Sequence, residues 1–485
     1  MHLLSYLKKA KVLLYRSTTL KSGIWYLISE FLLRGISFIT IPIFTRLLSV
    51  EEYGIISVYA SVVGIMKILT GANLQAGNGT ALIDFKERYL QYRSSVLFLS
   101  LFSFASMFLF IFFLIGWLAK ISQLSIDLLL LSLMAGYVGF VLYFWDNDLR
   151  FRQKYKQRAI LNITNAGIQA GLSIVLIILF SRRKYLGRVY GSLIPSFIIA
   201  VVIFIFVLSA GRKMVWPKAW KYALKIGIPL IPSSLSGIIL AQFDRIAIQS
   251  IIGSKEAGLY SFAYNIGMIL LILLVAANSA WVPWFFRQKA AGNSERIKKA
   301  SYLFTMLFLI STIGIMAIGP ELALFLAPSN FLASVRIIPV IILSYFFQFL
   351  YTLYVNYALF KKKTLIISIG SLLAGGINIT LNIWLIPGYG YEIAAWTTVF
   401  SYFCLFLFHW FSSSILLREK TLALNIMLLF ALIPSAISLE QYVMTNIFEP
   451  FSIPERLWRF GPSSICILIL LYFSIETYRN FQESQ

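Results

Sequence analysis

The chain has 485 residues, of which 59% are hydrophobic and only 13% charged, with a mean hydropathy of +0.82. That composition excludes an ordinary water-soluble domain. The formal charge of +23 raises nucleic-acid binding, but the basic residues are divided among many short gaps instead of gathered on one face. Juxtamembrane contact with anionic lipids is the better reading.

Fourteen apolar segments are expected to span a membrane as helices: 24–46, 53–74, 94–118, 125–145, 159–180, 188–208, 223–245, 258–282, 300–326, 336–358, 364–386, 391–412, 421–440 and 459–478. Each is near the 20 apolar residues that the hydrocarbon core requires. The fold class expected is therefore an all-α polytopic membrane protein. The basic start (Lys8, Lys9, Lys11, Arg16, Lys21) resembles a signal peptide only superficially. Its apolar run is too long, carries charges and lacks a small-x-small cleavage site.

The gaps between spans alternate in charge. With the N-terminus placed in the cytoplasm, 29 Lys and Arg fall on the cytoplasmic side and 11 on the other, while Arg34 and Lys67 lie inside spans. Positive residues are retained on the cytoplasmic side during insertion, so both termini are expected there. One outer loop, with Arg182, Arg183, Lys184 and Arg188, breaks the rule. It reads either as an untidy loop or as a docking surface for an anionic ligand.

A displacement of 204 positions, without gaps, superimposes two parts of the chain. Lys21 falls on Lys225, Gly23 on Gly227, Ile24 on Ile228, Glu52 on Glu256, Gly54 on Gly258 and Ser57 on Ser261. Six spans separate the copies, an even number, so both have the same orientation. Two six-helix lobes in parallel repeat are expected, 1–208 and 209–412, followed by two extra helices in 413–485.

Charges within a bilayer are costly and point to function. Glu30 and Arg34, four apart, share one face of the first span, and Lys67 lies in the second. At 1.5 Å per residue their depths from the cytoplasmic edge are about 9, 15 and 10 Å, so neighbouring helices bring all three to one level. The cluster carries a net positive charge. It reads either as an ion pair locking two helices, with Lys67 snorkelling to the surface, or as an anion site in a wet cavity. In the second reading Arg34 and Lys67 bind the anion, and Glu30 positions them or exchanges a proton. Asp244 and Arg245 near the outer end of the seventh span are a further ionised pair: Arg245 reads as a guard of the outer mouth or as part of a solvated helix end.

Amides in the second lobe (Asn265, Asn378, Asn382) and Tyr264 are candidates for sugar contact, by hydrogen bonding and ring stacking. The alternative is hydrogen bonding between helices, which is common in membrane bundles. Asp146-Asn147-Asp148 has the spacing of a glycosyltransferase metal motif, but five cations follow it (Arg150, Arg152, Lys154, Lys156, Arg158), so local charge pairing is the stronger reading. Cys404 and Cys466 lie in apolar runs without a CxxC. His2 is terminal and His409 is alone in a span, so no metal site is expected. No phosphate-binding loop, zinc-protease motif or serine elbow is present.

Three blocks of sequence resemble Wzx-type polysaccharide flippases of the multidrug/oligosaccharidyl-lipid/polysaccharide exporter (MOP) superfamily. The first is Arg46 to Gly54 (RLLSVEEYG). The second is Gly227 to Ser236 (GIPLIPSSLS), with Asp244-Arg245 and Ala257 to Ser261 (AGLYS). The third is Asn378 to Asn382 (NITLN), with Leu385 to Gly390 (LIPGYG) and Ala394 to Trp396 (AAW). They stand in the family's order over nearly the whole chain. Tyr391-Glu392-Ile393 departs from the family's usual Gly before the Ala pair. The resemblance implies two lobes about a central cavity and alternating access. It implies a substrate consisting of an oligosaccharide repeat unit on undecaprenyl pyrophosphate, moved to the outer leaflet for O-antigen, capsule or exopolysaccharide synthesis.

On this reading the protein is a non-enzymatic transporter of the bacterial inner membrane. Arg34, Lys67 and Arg245 are its pyrophosphate-binding candidates, and Glu30 and Asp244 its ion-pair or proton-coupling candidates. It needs no cofactor, and its coupling is to protons, Na+ or the membrane potential. A polysaccharide polymerase and a chain-length regulator are its expected protein partners. The alternatives are a multidrug or small-solute antiporter of the same fold, a membrane glycan polymerase or ligase, and a structural scaffold of glycan assembly.

Overall fold

The computed structural model describes residues 18–419, 422–448 and 450–482; it omits the side chains of residues 18–31, 34, 446 and 480–482. Among the described residues the chain is helical without strands. The helices are α1 (Thr18–Leu47), α2 (Val50–Thr70), α3 (Asn78–Asp84), α4 (Tyr89–Ser122), α5 (Ile126–Phe151), α6 (Tyr155–Leu179), α7 (Lys184–Gly211) and α8 (Pro217–Ile251). They continue as α9 (Ser254–Ala290), α10 (Ser294–Leu326), α11 (Ile338–Phe360), α12 (Thr364–Tyr389), α13 (Ile393–Phe411), α14 (Leu424–Ile447) and α15 (Ile453–Gln482). Among the described residues thirteen segments are long and apolar enough to cross a membrane, and Gly35–Leu47 adds a shorter apolar stretch within α1. The expectation of about fourteen spans holds.

Several helices outrun the bilayer. The 37 residues of α9 extend about 55 Å, against a hydrocarbon core of about 30 Å. Their ends therefore project into the headgroup region, where Arg287 and Lys289 occupy the last turn of α9. The second span ends earlier than its apolar run suggests. After Thr70 the backbone of Ala72 and Asn73 turns left-handed (φ 43° and 53°). The turn Leu74–Gly77 and the short α3 then occupy what reads as a plain loop.

Contacts divide the chain into two compact units, both discontinuous in sequence. Unit 1 comprises Met1–Leu47, Val62–Ala119 and Leu124–Ile231. Its core is built from Leu74, Tyr92, Val96, Phe140, Phe144 and Val207. Helix α4 covers this core with one side only. Just 11% of its most apolar stretch is buried, and Phe113 and Trp117 stand exposed. On a membrane helix such a face meets lipid, where outward-facing aromatics cost nothing.

Unit 2 comprises Leu48–Ser61, Lys120–Gln123 and Pro232–Gln485. Its axis is α11, 78% buried in the span Ser329–Phe360 and packed against α9, α10, α13 and α14. Tight aromatic packing fixes it there: Phe349 stacks on Phe308 at 4.1 Å, and Tyr357 meets Phe285 edge-on at 4.9 Å. The last two helices join unit 2 through charge as well as apolar packing. Glu321 of α10 accepts from both Arg456 and Arg459 of α15.

Candidate functional site

Unit 2 holds a carboxylate in its interior. Asp244 lies seven residues from the end of α8 and is fully buried. Three neutral donors from three other helices converge on it. Tyr260 of α9 donates to Oδ2 at 2.6 Å, Thr398 of α13 to Oδ2 at 2.7 Å, and Asn382 of α12 to Oδ1 at 2.6 Å. A second layer holds these donors. Thr397 donates to Asn382 Oδ1 at 2.6 Å, and Asn382 also donates to Asn378 Oδ1 at 3.2 Å. Asn378 in turn donates to the Thr398 hydroxyl at 3.3 Å.

The four-residue spacing of Asn378 and Asn382 puts both amides on one face of α12. Hydrogen bonds to a charged acceptor are short and strong. They do not cancel a buried charge, which ordinarily finds an ionic partner. Arg245 is not in ion-pair contact with Asp244. Its guanidinium donates to the Ala241 carbonyl at 2.9 Å and lies 4.3 Å above the Tyr264 ring. Adjacent residues on a helix point in different directions.

For the amides these positions match the second of the two readings, hydrogen bonding between helices. Asn378, Asn382 and Tyr264 are buried, and the two amides are spent on Asp244 and its neighbours rather than presented to sugar. Asn265 donates to the Tyr53 hydroxyl at 2.7 Å. Asp244 and Arg245 are interior residues, not a solvated helix end. Tyr260, Thr397 and Thr398 were missed. A hydroxyl within an apolar span is an ordinary occurrence, and only the fold shows which ones meet a carboxylate.

Unit 1 holds the second site. Lys67 of α2 is half-buried, with Nζ 4.5 Å from the Tyr143 ring of α5. A glycine makes this approach possible: a Cβ at Gly136 would lie 2.5 Å from the Met66 Cβ. Asp146 is on the same helix but pairs elsewhere, with Arg158 at 2.6 Å and Asn162 at 2.8 Å. Lys67 thus keeps a cation–π contact and makes no direct ion pair among the described residues, although Asp146 is near enough for its charge to act on it. The side chains of Glu30 and Arg34, expected beside it, lie outside the described residues.

The Asp146–Asp148 motif is a charge-pairing node. Asp148 is fully buried and accepts from Arg93 at 2.7 Å, Tyr89 at 2.7 Å and Arg152 at 3.2 Å. Among the described residues no cluster of three or more His, Cys, Asp or Glu is gathered to hold a metal.

Residues 19–289, more than half of the chain, match the sequence profile of the family described as "Polysaccharide biosynthesis protein". The chain belongs to that family.

This polysaccharide biosynthesis protein is 23% identical over 372 residues to a Haemophilus influenzae protein named "Uncharacterized membrane protein", covering 73% of this chain and 87% of that one. Its fold resembles that of a structure titled "Lipid II flippase MurJ, inward closed conformation". The TM-score is 0.70 at 16% identity, with 95% of this chain and 99% of the other covered. It also resembles an inward-facing multidrug resistance MATE family transporter of the MOP superfamily. There the TM-score is 0.58 at 15% identity, with 81% and 96% covered. The fold expected from the sequence blocks, that of the exporter superfamily, is borne out. The protein is a multi-pass membrane protein with the fold of transporters.

Proposed function

We propose that this polysaccharide biosynthesis protein is a flippase of the bacterial inner membrane. It carries undecaprenyl-pyrophosphate-linked oligosaccharide repeat units from the cytoplasmic to the outer leaflet by alternating access, with both termini cytoplasmic. It makes and breaks no covalent bond. The repeat units serve surface polysaccharide synthesis, where a polymerase and a chain-length regulator act on them next.

The observation that carries this reading is Lys67, a cation within an apolar span that makes no direct ion pair among the described residues, the nearby Asp146 being taken up by Arg158 and Asn162. An ammonium in that position wants an anion, and Arg34 of the preceding span is the second cation the sequence offers for it. A pyrophosphate supplies the charge while its prenyl chain stays in lipid. Moving negative charge outward is favoured by about 2.3 kcal/mol per charge per 100 mV. The antiporter alternative for organic cations places acidic groups at the substrate instead.

The buried carboxylate supplies the coupling. Asp244 is met by neutral donors, the Tyr260 and Thr398 hydroxyls and the Asn382 amide N–H, so its charge is left for a proton or Na+ to neutralise. The excess negative charge at Asp244 is what such a cation neutralises.

The test is Lys67→Gln against Lys67→Arg. Surface glycan is measured in cells with equal protein in the membrane, and binding of the lipid-linked substrate is measured in detergent. Gln should abolish both and Arg should retain them. Normal glycan with Gln would remove Lys67 from the mechanism.

A further inference from the structure

At the end of unit 1 where α4 joins α5 and α6 joins α7, a cavity of about 300 Å³ opens between the two connections. Of the anomalous basic loop's cations, Arg183 lines it. Its polar wall is made by Ser125, Asp127, Arg183 and Tyr185, and its apolar wall by Leu130, Leu131 and Met134 of α5. We infer that this cavity binds a phospholipid whose headgroup carries a phosphodiester and a primary ammonium, of the phosphatidylethanolamine type.

Three observations carry the assignment. First, the cavity holds one carboxylate and one guanidinium that have no ion-pair partner among the described residues, and neither is paired with the other. A ligand with one charge of each sign satisfies both at once. Arg183 forms the N-cap of α7, flanked by Arg182 and Lys184. The unsatisfied N–H groups of a helix start add to the attraction for phosphate there. Asp127, in the first turn of α5, is left for the ammonium.

Second, the apolar wall descends into the span. From Ser125 to Met134 is nine residues, about 13 Å along the helix. Met134 and Ile126 are exposed on this helix, so the cavity is continuous with a lipid-facing surface. A water-soluble sugar gains nothing from that wall, whereas an acyl chain does.

Third, the charges select among lipids. Asp127 repels a purely anionic headgroup and accepts hydrogen bonds only from an ammonium that has protons. A quaternary ammonium offers none. Ser125 caps α5 by accepting from the Leu128 N–H at 3.4 Å, which leaves its own proton for a phosphate or ester oxygen.

The experiment uses the full chain, purified and stripped of lipid, with bound lipid counted by native mass spectrometry. Lipids with ethanolamine, choline and glycerol headgroups are titrated separately. The wild type should retain the ethanolamine lipid best. Asp127→Asn should lower that retention by up to about fivefold, the effect of losing an exposed ion pair, and bring it level with the choline lipid. Arg183→Gln should weaken the ethanolamine and glycerol lipids alike. Met134→Trp, which fills the apolar wall, should displace the lipid with both charges intact. Equal retention of the three lipids by the wild type would overturn the assignment, as would an unchanged headgroup preference in Asp127→Asn. Equal competition by water-soluble glycerophosphoethanolamine would show that the site serves a soluble ligand and would overturn it too.

Discussion

Ser261 donates a hydrogen bond of 2.7 Å to the hydroxyl of Ser57, 204 positions away. That separation is the offset of the internal repeat, so a residue touches its own equivalent. Beside them, a Cβ on Gly54 would lie 1.8 Å from the Ser254 carbonyl, and one on Gly258 would lie 2.1 Å from the Val50 carbonyl. Equivalent residues meet only beside the axis that relates two copies. The joints Glu51-Glu52-Tyr53-Gly54 and Lys255-Glu256-Ala257-Gly258, at the starts of α2 and α9, therefore cross on a local two-fold within unit 2.

A cross-link tests this crossing. Ser57→Cys with Ser261→Cys, in a chain whose Cys404 and Cys466 are replaced by Ala, should form a disulfide on mild oxidation. If transport requires the joints to part, surface glycan production stops on oxidation and returns with reductant. Free thiols after oxidation would count against the contact.

Alanine at Gly258 should destabilise the protein by about 1–3 kcal/mol, the usual cost of forcing an extra methyl into a packed site. Thermal unfolding in detergent reads this directly. The clash is with backbone, so no rotamer change relieves it. Alanine at Gly314, which has open space where a Cβ would go, is the control and should unfold like the wild type.

Thr398→Val keeps the shape of α13 but removes one of three donors to Asp244. The loss should be about 1–3 kcal/mol of stability, because a buried charged acceptor is left partly unsatisfied. Asp244→Asn should lose less stability and should abolish the dependence of transport on the coupling cation. Transport rates across Na+ and pH series measure the second effect; unchanged dependence would free Asp244 from coupling.

Glu419 clasps two helix ends, accepting from Lys289 at the end of α9 and from Lys361 just after α11, the latter at 2.9 Å. Burial pushes its carboxyl up, but the hydrogen bonds and charges of the two lysines outweigh that and hold it below the ordinary value of 4.5. A carboxyl depressed in the folded state contributes stability above pH 4.5, and that contribution is lost as pH falls through the lower folded value. The melting temperature should therefore fall in that acid range in the wild type, and less steeply in Glu419→Gln.

The pair of Arg93 and Asp148 is buried on both sides. Asp148→Ala strands Arg93 without its carboxylate and should cost about 3–5 kcal/mol. Replacing both with apolar residues of similar size should cost much less, which a double-mutant comparison of thermal stability resolves.

Hydrophobic runs, their lengths and the alternation of charge between them were legible along the chain because each is a local property. Insertion into a membrane is decided segment by segment, so about fourteen spans and a superfamily fold followed from the sequence. The 204-residue repeat was legible for the same reason, as two joints with the same local chemistry. What Asn378, Asn382 and Arg245 touch was not. Asp244 meets Asn382 across 138 positions and Thr398 across 154, and amides four apart on a helix look the same whether they face sugar or carboxylate. Only packing decides which donors reach a buried charge, since a charge taken out of water must accept whatever the neighbouring helices present.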